Sequence, residues 1–439
     1  MTIERVTGPT LIGYLVACCI SIAAGQAVGQ TESKHSDIEL HKKYRKILKG
    51  KEGLEADRFF SGYAIEPKQP ASLEASLFKD ENKKLYLIYV TSSIVLKASK
   101  DAGRSWGEPR ALVDQAGKPI HGFHVSMIRL KSGHLGLVYS TTDVPDGRSG
   151  RDGGTVIRTS DNEGKTWSEP VTIERRFGIC CSAHALVLSS GRIVVPVFKW
   201  ISHEPTGSAE EFNSPSVSYS YVYVSDDEGK SWTQSLSELF VSHYRAAYDL
   251  EEPTVIELKD GRLLMHLRSQ LGRIYRSYSK DQGISWSRPE PLHIAGGYTP
   301  CMIRRIPSSG HLLMIWNQVS RQEMLTGSHR HRLSCAISKD DGETWGNFKN
   351  IESLDSVSEI VPPPADRIEV LEMWENYGYF QPFDTERYHR APGVLRICYP
   401  DVAFIGDEAI IVYDYGKGIL GEDVSSTKLR ALPTSWFTK

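Results

Sequence analysis

The octet SKDQGISW, Ser279 to Trp286, is written four more times along the chain with small changes. SKDAGRSW starts at Ser99, SDNEGKTW at Ser160, SDDEGKSW at Ser225 and SKDDGETW at Ser338, so successive starts lie 61, 65, 54 and 59 residues apart. A repeat of this period marks one supersecondary unit that stacks on its neighbours because it cannot bury its apolar face alone. An alternating or apolar run precedes each octet, as in GRIYRSY before Ser279 and RLSCAI before Ser338. A short polar stretch such as GEP, SEP or SRP often follows, which places the octet at a turn between two strands. Its third residue (Asp101, Asp227, Asp281, Asp340, and Asn162 in the second copy) can accept hydrogen bonds from the turn's own backbone. The fifth-position glycine supplies a positive φ, and the closing Trp packs back onto the sheet.

Upstream of the octets lie strand-turn-strand patterns: MIRLKSGHLGLVYS, ALVLSSGRIVVPVF, VIELKDGRLLMHLRS and MIRRIPSSGHLLMIWN. A first copy, SLFKDENKKLYLIYV, and a last, VAFIGDEAIIVYDY, bring the hairpin units to six. Four strands per unit at this period predict an all-β fold, a six-bladed β-propeller over residues 59–439. Blade 1 is expected from about 60 to 115 and blade 6 from about 393 to 437. Two insertions, 198–217 and 353–393, are placed to shape a mouth of the channel.

The chain has 439 residues, 52 basic and 54 acidic, for a formal net charge of −2. That balance argues against a nucleic-acid or membrane-surface partner held by bulk electrostatics. At the N-terminus the apolar run LIGYLVACCISIAA (Leu11 to Ala24) is too short to span a membrane and reads as a secretory signal over residues 1–30. LVAC, ending at Cys18, also has the look of a lipoprotein box, whose cleavage would leave a lipid-anchored Cys18. Residues 31–58 are charged and read as a linker or short helical lead-in. The expected location is secreted or periplasmic. Beyond the signal stand Cys180, Cys181, Cys301, Cys335 and Cys398, an odd number that leaves at least one thiol unpaired. Zinc-ligand spacings and phosphate-cradling loops are missing, so no metal and no cofactor is expected.

The octet is the Asp-box, and from about residue 60 to 437 the chain resembles the sialidase (neuraminidase) superfamily. In EEPTVIELKDGRLLMHLRSQ the resemblance matches Glu252 to the glutamate that polarises a tyrosine nucleophile, and Arg268 to one member of an arginine triad. In RHRLSCAISKDDGETW, Arg330 falls where another triad arginine is carried, with Arg332 as a near alternative. In ICYPDVAFIGDEAIIVYDYG, Tyr399 takes the nucleophile position. The set is chemically coherent, because guanidinium groups clamp a substrate carboxylate in a bidentate way. A carboxylate against a phenol makes it a better nucleophile, and tyrosine is the known sialidase exception among glycosidases.

Two family positions differ. SGYAIEPKQP has no arginine where the triad's third member is expected, and Tyr89 to Ala98 has no aspartate where the acid/base is expected. Candidate replacements come from the starts of inner strands: His121 and His124 in PIHGFHVSM, and His184 in CCSAHALVL. SHYRAAYDLEEP adds His243, Tyr244, Arg245, Tyr248, Asp249 and Glu251 around the same mouth. An imidazole titrating near neutrality can serve as general acid or base. The resulting expectation is a glycoside hydrolase removing a terminal acidic sugar from a glycan. Tyr399, Glu252, His124 and His184 would do the chemistry, and Arg268, Arg330, Tyr248 and Asp249 would bind substrate. Two alternatives stay open: a polysaccharide lyase on a uronic-acid glycan, and a non-catalytic glycan-binding propeller.

Overall fold

The protein is described by a computed structural model over residues 63–64, 75–141, 154–174, 179–181, 184–201, 217–243, 246–269, 271–319, 330, 332–353, 395–419 and 422–439. The expected signal with Cys18, the 31–58 lead-in, most of both insertions, and Tyr244 and Arg245 lie outside the described residues. The fold is all-β, a six-bladed propeller. Strand β1 (Tyr63–Ala64) comes first in sequence. Blade 1 holds β2 (Ser76–Lys79), β3 (Leu85–Val90), β4 (Ile94–Ser99) and β5 (Arg110–Ala111). Blade 2 holds β6 (Phe123–Arg129), β7 (Leu135–Thr141), β8 (Gly154–Ser160) and β9 (Val171–Glu174). In blade 3 the inner strand is split into β10 (Ile179–Cys181) and β11 (Leu186–Val187), both paired to β12 (Ile193–Ile201); β13 (Val217–Ser225) and β14 (Thr233–Gln234) follow. A hairpin of β15 (Val241–His243) and β16 (Ala246–Tyr248) leads to blade 4: β17 (Leu250–Glu257), β18 (Leu263–Ser269), β19 (Arg273–Ser279) and β20 (Glu290–Ala295). Blade 5 holds β21 (Met302–Arg305), β22 (Leu312–Trp316), β23 (Arg332–Ser338) and β24 (Gly346–Ser353).

Blade 6 closes the ring. Its β25 (Leu395–Ile405), β26 (Glu408–Ile419) and β27 (Glu422–Pro433) come from the C-terminal end, and α1 (Thr434–Thr438) follows them. Its fourth strand is β1, with Tyr63 opposite Leu429 and Ala64 opposite Lys428. Sequence had assigned residues 60 to 75 to blade 1. Of these, Tyr63 and Ala64 pair instead with the last blade, where β1 covers an otherwise open edge.

Each blade packs face to face with the next, and each of the six interfaces has its own apolar core. Leu96 and Ile88 of blade 1 meet Met127 and Leu137 of blade 2; Ile157 of blade 2 meets Val195 and Tyr221 of blade 3. Val222 and Val224 of blade 3 meet Leu263 and Met265 of blade 4; Ile274 of blade 4 meets Met314 and Trp316 of blade 5. Leu313 and Cys335 of blade 5 meet Ile411 and Tyr413 of blade 6, and Ile410 and Val412 of blade 6 meet Leu85 and Leu87 of blade 1. The ring is stabilised by burial at blade-to-blade contacts rather than by a central core.

The octets staple those contacts. Asp281 accepts hydrogen bonds from Ser279 Oγ (2.8 Å), Ser285 N (2.8 Å) and Ser285 Oγ (2.5 Å), while Gly283 N donates to Ser279 Oγ at 2.8 Å. The same set recurs around Asp101, Asp227 and Asp340. In the second copy Asn162 Oδ1 accepts from Ser160 Oγ and Thr166 N in the same way. The fourth residue is left-handed as well as the glycine: Gln282 has φ +55° and Gly283 +96°. The glycine faces the preceding blade, where a Cβ at Gly283 would lie 3.2 Å from Val224 and one at Gly342 2.5 Å from Leu264. Each octet follows the third strand of its blade, at the end of the ring where the inner strands finish.

The turn hydrogen bonds hold these carboxyls below their ordinary pKa. Hydrogen bonds from Ser231 lower Asp227 from 3.8 to about 2. A carboxyl with a depressed folded-state pKa contributes stability above its unfolded value, and that contribution disappears as pH falls through the folded one. The stability that Asp227 supplies is therefore present above about pH 4 and lost towards pH 2. Asp227→Asn is expected to lower the urea midpoint at neutral pH and to shrink that difference at about pH 2. Urea titrations of both proteins at the two pH values check this; an undiminished difference in acid would contradict it.

Candidate active site

Among the described residues, three inner strands carry the same irregularity. Pairing shifts register between Phe123 and Ser126 in β6, between Glu251 and Thr254 in β17, and between Cys398 and Asp401 in β25. Inside each bulge one non-glycine residue is left-handed: His124 (φ +52°), Glu252 (φ +43°) and Tyr399 (φ +52°). Two of the three precede proline, Pro253 and Pro400, which has no N–H to give the ladder and is at home in a bulge. A bulge re-aims a side chain, and a left-handed residue of this kind costs about 1–3 kcal/mol. The strain falls on blades 2, 4 and 6, every second blade, near the starts of their inner strands.

Two of the re-aimed groups meet directly. Tyr399 Oη donates to Glu252 Oε1 at 3.0 Å, between residues 147 positions apart in sequence. Arg268 Nη1 donates to Glu252 Oε2 at 2.5 Å, and Arg268 Nε stands 3.6 Å from Glu251 Oε2. The Arg268 guanidinium carbon lies 3.7 Å from the Tyr298 ring centroid, a stacked cation–π contact. Arg330 sits over the Tyr399 ring at 5.3 Å, with Nη1 3.3 Å from Cys398 Sγ. Burial pushes the Glu252 carboxyl up, but Arg268, then Arg330 and His124, more than offset it and hold the group below its ordinary value. Glu252 is thus an ionised carboxylate taken out of water, with a phenol as its hydrogen-bond donor.

A second set of groups supports the first. Glu251, 2% exposed, accepts from Ser218 Oγ and from Tyr298 Oη (2.8 Å). Asp249, equally buried, accepts from Ser218 N at 2.5 Å. Tyr248 pairs with Val241 in the β15–β16 hairpin. His184 is carried between β10 and β11, and its Nε2 stands 3.8 Å from Asp401 Oδ1. Burial, then the Arg304 charge, holds the His184 imidazole well below its ordinary value, so it is neutral at physiological pH. His121 is exposed, with Nδ1 2.7 Å from Ser92 O. The β3–β4 loop, Thr91 to Ser93, carries no carboxylate, and residues 65–74 lie outside the described residues. Cys301, Cys335 and Cys398 are buried thiols outside any disulfide.

Sequence reading did not single out Tyr298, Arg304 or Asp401. YPDV offered a signal for the last, since an acid inside an apolar strand needs buried partners. Tyr298, in GGYTP, had none. Among the described residues no cluster of three or more His, Cys, Asp or Glu could hold a metal ion, and no helix is long and apolar enough to cross a membrane.

Arg268 faces both Glu251 and Glu252. Replacing one partner of a buried ion pair leaves an uncompensated charge and typically costs about 3–5 kcal/mol. Arg268→Met is expected to lose stability in that range by chemical denaturation, and Arg268→Met with Glu252→Gln to recover part of it. Additive losses in the double variant would show that the pair is not coupled.

Residues 91–402 match the BNR repeat-like domain family. A sialidase of Bacteroides fragilis is 24% identical over 204 residues, 43% of this chain and 33% of that protein. A sialidase of Micromonospora viridifaciens is 25% identical over 289 residues, 58% of this chain and 40% of that protein. The matched regions thus span between a third and two fifths of these curated relatives. Among solved structures, a Hadza microbial sialidase superposes with a TM-score of 0.57 at 13% identity, covering 85% of this chain and 68% of that one. The intramolecular trans-sialidase of Ruminococcus gnavus gives 0.54 at 13%, covering 88% and 100%. A protein of unknown function from Dyadobacter fermentans gives 0.54 at 15%, covering 84% and 98%. At these identities the structural likeness concerns the fold. The sequence match decides the family: this chain is a member of the BNR repeat-like domain family, a sialidase-like propeller distantly related to the sialidases.

Proposed function

We propose that the protein is a glycoside hydrolase that removes a terminal acidic sugar from a glycan. The observation that carries this reading is the Tyr399 Oη to Glu252 Oε1 hydrogen bond at 3.0 Å, flanked by two guanidinium groups. Arg268 and Arg330 bind the sugar carboxylate. Tyr399 attacks the anomeric carbon as its proton passes to Glu252, and the glycosidic C–O bond breaks. His124, on the third bulge and close enough to influence Glu252, protonates the departing oxygen. Water then attacks the anomeric carbon, giving one proton to His124, as the bond to Tyr399 Oη breaks and Glu252 returns its proton to the phenolate. A neutral nucleophile suits a sugar whose reacting carbon bears a carboxylate, because an anionic one would be repelled. The neutral His184, placed against Asp401 and Arg304, is poorly suited to donate a proton.

The test is a panel of sialylated and uronic-acid glycans, read by released reducing sugar and by ultraviolet absorbance. Turnover is expected to fall about 10²–10⁴-fold in His124→Ala and on the order of 10³-fold or more in Tyr399→Phe. Absorbance without hydrolysis would replace this reading by a lyase. Binding without turnover on any substrate would replace it by a glycan-binding propeller.

We also infer export, from the apolar run Leu11 to Ala24 and the small residues after it. The mature protein from expressing cells should begin near residue 30; a lipid-modified Cys18 would substitute anchoring for release, and an intact N-terminus would contradict both.

A further inference from the structure

We propose that Asp401 is the residue that positions Tyr399, an inference that rests on Tyr399 being the reacting group. Asp401 stands two places beyond Tyr399, on the far side of Pro400. The β25–β26 ladder stops at Cys398 opposite Asp414 and resumes at Asp401 opposite Val412. Three steps on β25 therefore face two on β26, and Asp401 is where the chain regains its register. A bulge with a left-handed tyrosine persists only where its surroundings over-determine it. The Asp401 carboxylate is that surrounding. Its Oδ2 accepts from Leu77 N of blade 1 at 2.8 Å. Its Oδ1 accepts from Arg304 Nη2 of blade 5 at 3.1 Å and from Val402 N of its own strand at 2.8 Å. His184 of blade 3 approaches the same oxygen. Four blades thus converge on one carboxylate that is only 3% exposed.

The bulge on blade 2 repeats the arrangement. Ser126 also stands two residues beyond the left-handed position, and its Oγ accepts from Ala185 N of blade 3 at 3.1 Å. In both cases the residue after the bulge receives an N–H from the next blade's inner edge, which sets the bulge against a neighbour rather than against its own sheet. Blade 6 uses a carboxylate where blade 2 uses a hydroxyl, and the carboxylate additionally engages Arg304.

The experiment is Asp401→Asn, which keeps the size of the side chain but turns one acceptor into a donor facing other donors. We expect kcat to fall by about 10²-fold, the usual result of an ångström-scale misplacement, with KM nearly unchanged. A second readout needs no substrate: nitration of Tyr399 by tetranitromethane, followed by peptide mass spectrometry, should rise severalfold once the phenol leaves Glu252, while other tyrosines are unaffected. Unchanged kcat, or unchanged Tyr399 nitration in folded protein, would overturn the proposal. If Asp401→Asn does not fold, Arg304→Met withdraws one of the three donors and must shift Tyr399 nitration in the same direction; no shift overturns it equally. If the unmodified protein proves inactive on every glycan, the hydrolase reading has failed, and the nitration arm still decides what Asp401 does.

Discussion

Glu252 is a carboxylate removed from water and kept ionised, and much of the surrounding architecture follows from that requirement. An unpaired charge at that depth would be far too unfavourable, so Arg268 faces it at 2.5 Å. Arg268 is itself buried, and one carboxylate does not occupy its fork; Glu251 stands against the Nε side and Tyr298 covers the flat face. Glu251 in turn takes Ser218 and Tyr298 as donors, and Asp249 takes the Ser218 amide. The network thus joins blade 3, blade 4 and the blade 4–5 connection, and Tyr399 brings in blade 6. Within it both Glu252 oxygens are engaged, one by Tyr399 and one by Arg268, which fixes the orientation of the carboxylate.

The propeller separates holding from working. Octets sit where the inner strands finish, each fastening a turn with bonds that span two to four residues and pressing a glycine against the preceding blade. The three bulges sit near the other end of the inner strands, and they alternate around the ring so that His124, Glu252 and Tyr399 come from separate blades. A rigid ring tolerates three strained positions because none of the six apolar interfaces depends on them. The same ring brings a hydrogen-bonding carboxylate from blade 4 to a phenol from blade 6, a pairing that no single sheet could make.

Membership in the BNR repeat-like domain family explains the ring and the distant kinship with sialidases. No arginine is written in SGYAIEPKQP, no acid in the β3–β4 loop, and a histidine occupies the third bulge.

The sequence by itself determined the blade count and the turns, because an octet's hydrogen bonds join residues two to four apart and are encoded in adjacent letters. It also showed the Glu252, Arg268 and Tyr399 motifs, each recognisable within its own strand. The tertiary structure alone decided that Tyr399 and Glu252, 147 residues apart, share a hydrogen bond, and that Leu77 donates to Asp401, 324 apart, at the edge of the blade 6 bulge. It decided too that β1 belongs to the last blade. Closure of a ring is a condition on the whole chain: where a strand lands depends on every blade between its ends, and no local pattern of residues can record it.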